Sequence, residues 1–199
     1  MKKLFILSIV ILAATSVANA QLTKIGGGLG FTTGYYFHGM KFDYNKSGNF
    51  NIYAKAIYEL KLPVHISPSV TFFLPHVWKL GDVVSSEKVT VTTLMVDINA
   101  HYVFNSLDRF EFYALAGPDI ILAWKKDVQK YSASPSQTFK ESDNALGLNV
   151  GAGTYIKIAQ QMDLNIEAKY LVGHYHQFML NAGILVNFQY IIKHSKEPI

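Results

Sequence analysis

The sequence predicts an all-β protein, an eight-stranded antiparallel up-and-down transmembrane β-barrel. Three observations predict it: apolar and polar residues alternate over long stretches, no apolar run is long enough for a membrane helix, and tight connections alternate with long ones. Aromatic residues make up 14% of the chain and charged residues 16%. Past residue 20, however, no apolar run approaches the roughly 20 residues that a membrane helix needs. Apolarity without long runs has to be distributed by alternation, and period two marks a strand with one apolar and one polar face.

The first segment is set apart from the fold. Met1-Lys2-Lys3, the apolar stretch from Leu4 to Ala14, and Ala18-Asn19-Ala20 before Gln21 have the order of a secretory signal peptide, with a basic start, a short apolar core and a small-x-small cleavage site. Residues 1–20 are expected to be removed after export, residues 21–190 to form the barrel, and residues 191–199 to be a short tail. The chain has no Cys, which excludes lipid attachment at Cys, disulfides, thiolate metal sites and Cys nucleophiles. Without Lys2 and Lys3, the 18 Lys and Arg fall to 16 against 14 Asp and Glu. That balance gives no reason to expect nucleic-acid binding.

Alternation is plainest at 90–104, where Leu94, Val96, Ile98, Ala100, Tyr102 and Phe104 interleave with Thr93, Met95, Asp97, Asn99 and His101. Segment 51–61 sets Ile52, Ala54, Ala56, Tyr58 and Leu60 against Lys55 and Glu59. In 145–157, Leu146, Leu148, Val150, Ala152, Thr154 and Ile156 oppose Asn149, Gly151, Gly153, Tyr155 and Lys157. Segment 164–172 sets Leu164, Ile166, Ala168, Tyr170 and Val172 against Asn165, Glu167 and Lys169; segment 178–190 sets Phe178, Leu180, Ala182, Ile184, Val186 and Phe188 against Asn181, Gly183 and Asn187. The less regular 24–35, 70–79 and 110–124 bring the count to eight, an even number as membrane barrels require. Connections at 36–50, 80–88, 125–144 and 173–177 are expected to be loops outside the cell, and those near 62–67, 105–108 and 159–162 tight periplasmic turns. Pro75 and Pro118 fall inside proposed strands, where bulges or strand ends are expected.

With the first strand running outward, aromatic residues fall at both ends of the strands, as an interfacial girdle requires. Tyr58, Tyr102 and Phe188 mark the periplasmic rim; Trp78, Trp124 and Tyr170 mark the outer one. An eight-stranded lumen is just wide enough to be filled by side chains. Lys55, Glu59, Asp97, Asn99, Glu111, Asn149, Glu167 and Lys169 are therefore expected to meet there as a polar network that plugs it. The segment Gly26–Gly30 does not make a dinucleotide fingerprint, because it continues as a strand; its glycines make room for large lumen neighbours.

The chain resembles the small outer-membrane β-barrel family related to the OmpA and OmpX transmembrane domains, particularly its Bacteroidetes-type members. The resemblance is carried by Ala18-Asn19-Ala20, Gly26-Gly27-Gly28-Leu29-Gly30, Tyr113-Ala114-Leu115-Ala116-Gly117-Pro118, Leu148-Asn149-Val150-Gly151-Ala152-Gly153 and Asn181-Ala182-Gly183-Ile184-Leu185-Val186-Asn187-Phe188. It implies insertion into a Gram-negative outer membrane, contact with its lipid and lipopolysaccharide, and handling by the assembly machinery. That machinery usually reads a terminal aromatic. Here residues 191–199 follow Tyr190, so such a signal has to be internal.

Candidate sites outside the lumen are few. Lys125, Lys126 and Lys130, beside Trp124, are placed to contact lipopolysaccharide phosphates, or else form a solvated basic loop balanced by Asp127, Glu141 and Asp143. His174-Tyr175-His176 has spacing for a metal pair but no ligand-rich partner segment. A lipid A-modifying enzyme needs a nucleophile and a base near the outer rim. Ser85 or Ser86 with His38 or His174 would have to supply them, and no His-x-Ser motif occurs. No catalytic residue, cofactor or metal is assigned. The reading is a non-enzymatic surface barrel that lends the envelope stability or whose loops 36–50 and 125–144 meet lipopolysaccharide, a host surface or another envelope protein. The rival class is a soluble lipocalin-like barrel that turns its apolar faces inward around a small ligand.

Overall fold

The computed structural model describes residues 21–33, 36–37, 48–60, 63–82, 85–131, 134–173 and 175–188. Every alternating segment is a strand: β1 (Gln21–Thr32), a two-residue β2 (Tyr36–Phe37), β3 (Asn49–Glu59), β4 (Val64–Asp82), β5 (Ser85–Ser106), β6 (Phe110–Tyr131), β7 (Ser134–Ala159), β8 (Met162–Gly173) and β9 (Tyr175–Asn187). The eight long strands pair antiparallel in chain order, and β1 pairs β9 from Lys24↔Asn187 to Thr32↔Met179, which closes the ring. β2 adds only Tyr36↔His176 and Phe37↔Tyr175 to the start of β9. Closure means that no strand presents an open edge to lipid, the condition for a sheet to span a membrane.

The pleat faces as the alternation requires. Leu29, Ile52, Ile98, Phe104, Leu146, Leu148 and Leu180 are exposed on the outside, while Lys55, Asp97, Asn99, Asn149, Glu167 and Lys169 are buried inside. A lipocalin-like barrel requires the opposite arrangement, so that alternative is overturned. Tyr102, Trp124, Tyr170 and Phe188 lie exposed at the two ends of the apolar band, and Tyr58 is half-buried beside them. Trp78 pairs with Val89 in the backbone, and its side chain lies outside the described residues.

The connections depart from expectation at one end only. The turns after β3, β5 and β7 are tight, as expected. On the other side, 80–88 and 125–144 are not loops. β4 and β5 run on to Asp82 and from Ser85, and β6 and β7 to Tyr131 and from Ser134. Above the hydrocarbon the outward face meets water, so the sequence loses its apolar contrast while the hydrogen-bond ladder continues; period two disappears although the strand does not. β4 to β7 are 19, 22, 22 and 26 residues long, whereas β1, β3, β8 and β9 are 12, 11, 12 and 13. Half of the wall therefore ends at the membrane, and the other half continues as a four-stranded extension. In membrane barrels the longer hairpins rise on the extracellular side, so the extension marks the outer end of the ring. The expected 173–177 loop reduces to residue 174 between β8 and β9, and most of 36–50 lies outside the described residues, as do 1–20 and 189–199.

The prolines behave in two ways. Pro75 sits in the register shift between Phe73 and His76, the bulge expected of it. At Pro118 the strand neither bulges nor ends: β5 and β6 pair at Asp97↔Asp119 and again at Ala100↔Ala116 in unchanged register, so the missing N–H opens a gap in the ladder.

Glycines admit the large inward side chains. A Cβ on Gly153 would collide with the Tyr113 hydroxyl and lie 2.5 Å from its Cζ. Tyr113 is fully buried and cannot retreat. Gly153→Ala is expected to destabilise the barrel by about 1–3 kcal/mol through overpacking. The check is a lower temperature for loss of the fast-migrating folded band on unheated gels; an unchanged temperature would show that Tyr113 has room to move.

Candidate functional site

Inward-facing residues of all eight long strands stack in layers along the lumen. At the periplasmic mouth Lys24 Nζ lies 2.8 Å from Asp163 and 3.7 Å from Glu111. Beside them a cavity of about 410 Å³ is lined in part by Glu59, Arg109, Lys157 and Asn187. Above the mouth, Ile57, Tyr113, Leu115, Tyr155 and Leu185 form an apolar layer. A second one, Phe73, Met95, Ile121, Ala145, Leu171 and Met179, lies toward the outer end.

Between these layers runs one continuous polar network. Lys55 Nζ donates to Glu167 Oε2 at 2.6 Å and to Asn165 Oδ1 at 3.2 Å. The Tyr113 hydroxyl donates to the same carboxylate oxygen at 3.0 Å and accepts from Asn165 Nδ2 at 2.7 Å. Lys169 Nζ bridges the two acids, 2.8 Å from Asp97 Oδ2 and 3.9 Å from Glu167 Oε1. Asp97 Oδ1 accepts from Ser69 and Asn99, and Asn149 in turn donates to Asn99 at 3.1 Å. His101 stacks on Tyr113 at 4.3 Å and shares a hydrogen bond with Tyr155. Lys55, Asp97, Glu167 and Lys169 are each paired and hydrogen-bonded, as a low-dielectric interior demands, whereas Asp119, buried in register with Asp97, keeps a carboxylate oxygen without a partner.

Six of the lumen residues read from sequence, Lys55, Asp97, Asn99, Asn149, Glu167 and Lys169, therefore meet in this network. Glu59 and Glu111 do not: near the strand ends they line the mouth cavity, and Glu111 pairs there with Lys24. Sequence reading missed Lys24, Asp163, Ser69, Tyr113 and Tyr155. Tyr155 stands on the polar face of the alternation without having been assigned to the network, and the inward parity of Tyr113 is hidden by the expectation that aromatics face lipid. The apolar layers were missed for the same reason, since Leu171, Met179 and Leu185 fall on faces read as polar.

The extension separates the three lysines read from sequence. Lys125 shares the inward face with Ala123 and Asp127 and pairs in register with Glu141. Lys126 is exposed on the outward face, two residues beyond Trp124. The side chain of Lys130 lies outside the described residues, as do His38, His174 and the side chains of Ser85 and Ser86. His176 stacks on Tyr170 with centroids 6.3 Å apart. Among the described residues no group of three or more His, Asp or Glu is placed to hold a metal.

The comparisons agree with this architecture. A family model described as outer membrane protein beta-barrel domain matches residues 4–190. Among solved structures, Neisserial surface protein A matches with a TM-score of 0.53 at 15% identity, over 85% of this chain and 99% of that one. The N-terminal β-barrel domain of Pseudomonas aeruginosa OprF gives 0.51 at 17%, over 85% and 99%. A major outer membrane protein of Thermus thermophilus gives 0.52 at 13%, over 84% and 100%. At these identities the likeness is one of fold. No curated protein matches the chain in sequence. A closed eight-stranded ring, apolar outside and ion-paired inside, matched along nearly its whole length by that model, belongs to the outer membrane protein beta-barrel family and resides in the outer membrane of a Gram-negative bacterium.

Proposed function

We propose that this chain is a non-enzymatic surface barrel with a lumen closed to solutes, whose extracellular extension makes the functional contacts. The observation that carries the reading is the buried network from Lys55 and Glu167 through Lys169, Asp97 and Asn99 to Asn149, held between two apolar layers. A pore would need water along that path, and each of these groups is already bonded to another side chain. The barrel acts as a rigid mount in the envelope. The extension, including 125–144, faces outward for contact with lipopolysaccharide, a host surface or another envelope protein. Of the lysines read from sequence, Lys126 has the placement for a lipopolysaccharide phosphate. Residues 1–20 serve as the export signal, and the assembly machinery reads a signal upstream of the 191–199 tail.

The protein reconstituted in planar bilayers is expected to give no steady conductance, while the same preparation shows the heat-dependent gel shift of a closed barrel. Large stable channels in a heat-shifting preparation would overturn the closed lumen and leave the family assignment standing.

A further inference from the structure

The strand register sorts the charges of the extension by face. Cross-strand partners share a face, and rows alternate between inward and outward. Inward rows carry Glu87, Asp127, Glu141 and Asp143, with Lys125 opposite Glu141. Outward rows carry Lys79↔Lys88 across β4 and β5 and Lys126↔Lys140 across β6 and β7. All four outward lysines are exposed, and none has a salt bridge among the described residues. The other outward residues of these rows are Val77, Thr90, Thr92, Val128, Thr138 and Ser142, so the face contains no acid.

Two like charges directly opposite each other, with Cβ atoms about 4.5–5.5 Å apart, destabilise a sheet unless an anion lies between them. Two such pairs on one face, with every acid turned to the other, make a surface built for anions. Its height identifies them. Lys79 follows Val77 by two residues and Lys126 follows Trp124 by two, about 7 Å along each strand, and both Val77 and Trp124 are exposed at the edge of the apolar band. That is the depth of the headgroup layer. Lys88 and Lys140 stand opposite them in register. We infer that Lys79, Lys88, Lys126 and Lys140 form a two-pair cradle for the phosphate groups of lipopolysaccharide in the outer leaflet, each pair clamping one phosphate. Thr90 and Ser142 hydroxyls lie beside the pairs as further donors. This inference rests on the surface-barrel reading and names the lipid chemistry that its extension meets.

The test uses the folded full chain in neutral detergent, titrated with lipid A bearing its phosphates, with dephosphorylated lipid A, and with inorganic phosphate, read by tryptophan fluorescence and by ³¹P line broadening. Phosphorylated lipid A is expected to bind tightly and in a salt-sensitive way. Each double variant, Lys79→Gln/Lys88→Gln and Lys126→Gln/Lys140→Gln, is expected to lose about 25-fold in affinity, at about fivefold per lysine near an anionic surface. The inward control Lys125→Gln is expected to bind as the parent does, and all variants are expected to keep the heat-dependent gel shift. Equal binding of dephosphorylated lipid A, or parental affinity in both double variants, would overturn the cradle. Full competition by inorganic phosphate would replace lipid with a free anion and overturn it as well. If the parent chain itself lacked the gel shift, the barrel reading beneath it would fall instead.

Discussion

Replacing Glu167 by Ala is expected to destabilise the folded barrel by about 3–5 kcal/mol, the cost of leaving buried charge without its partner. Glu167 is 1% exposed and meets two ammonium groups, Lys55 at 2.6 Å and Lys169 at 3.9 Å, as well as the Tyr113 hydroxyl. Its loss leaves Lys55 with the Asn165 carboxamide and the face of the Tyr53 ring but no anion, while Lys169 retains Asp97. Most of the damage should therefore arise at Lys55. That makes the pair separable: Lys55→Met/Glu167→Leu removes both charges and replaces them with apolar side chains, and is expected to cost less than Glu167→Ala alone. Urea-dependent folding into lipid vesicles measures the parent, Glu167→Ala, the double variant, and Lys55→Met and Glu167→Leu singly. If the double variant cost the sum of its single changes, Lys55 and Glu167 would not be acting as a buried pair.

The membrane-level fold was legible because lipid enforces it. With no water in the hydrocarbon, each strand from Leu94 to Phe104 or Leu146 to Ile158 has to present an apolar residue at every second position, and that demand is written in the sequence with Thr154 as the one exception. Where the demand ends, legibility ends with it. Lys126, Val128, Lys140 and Ser142 belong to strands as regular as those below them, but facing water they carry no periodic apolar signal, so 80–88 and 125–144 read as loops. The lumen was legible by half. Its charged members stood out on the polar face, whereas Leu171, Met179 and Leu185 point inward for space-filling and are chemically indistinguishable from lipid-facing residues, and nothing local marks Tyr113 as a partner of Glu167. Strand pairing decides which acids meet which lysines, and no local pattern gives that. Lys169 meets Asp97 only because the ring closes and brings the inward side chains of β8 and β5, three strands apart, together in the lumen.

An arginine at Val150 is expected to cost about 2–4 kcal/mol, the penalty for a cation on the lipid face near the bilayer midplane. Val150 is 47% exposed, lies between Leu148 and Ala152 on the outward face of β7, and pairs with Ala116 and Tyr170 on its neighbours. None of these offers an acid to a guanidinium. The adjacent inward position gives the contrast, but Arg is not the substitution to use there. Asn149 is fully buried and its carboxamide donates to Asn99, so Asn149→Arg would also be damaging, by overpacking. Leucine separates the faces. Val150→Leu adds one methylene in contact with lipid and is expected to change stability by less than about 0.5 kcal/mol. Asn149→Leu leaves the Asn99 oxygen buried without its donor and is expected to cost about 1–3 kcal/mol. Urea titrations in vesicles of matched thickness compare the three. If Asn149→Leu were tolerated while Val150→Leu cost more than about 1 kcal/mol by overpacking, Val150 would pack inside, and the assignment of lipid and lumen faces along β7 would have to be reversed.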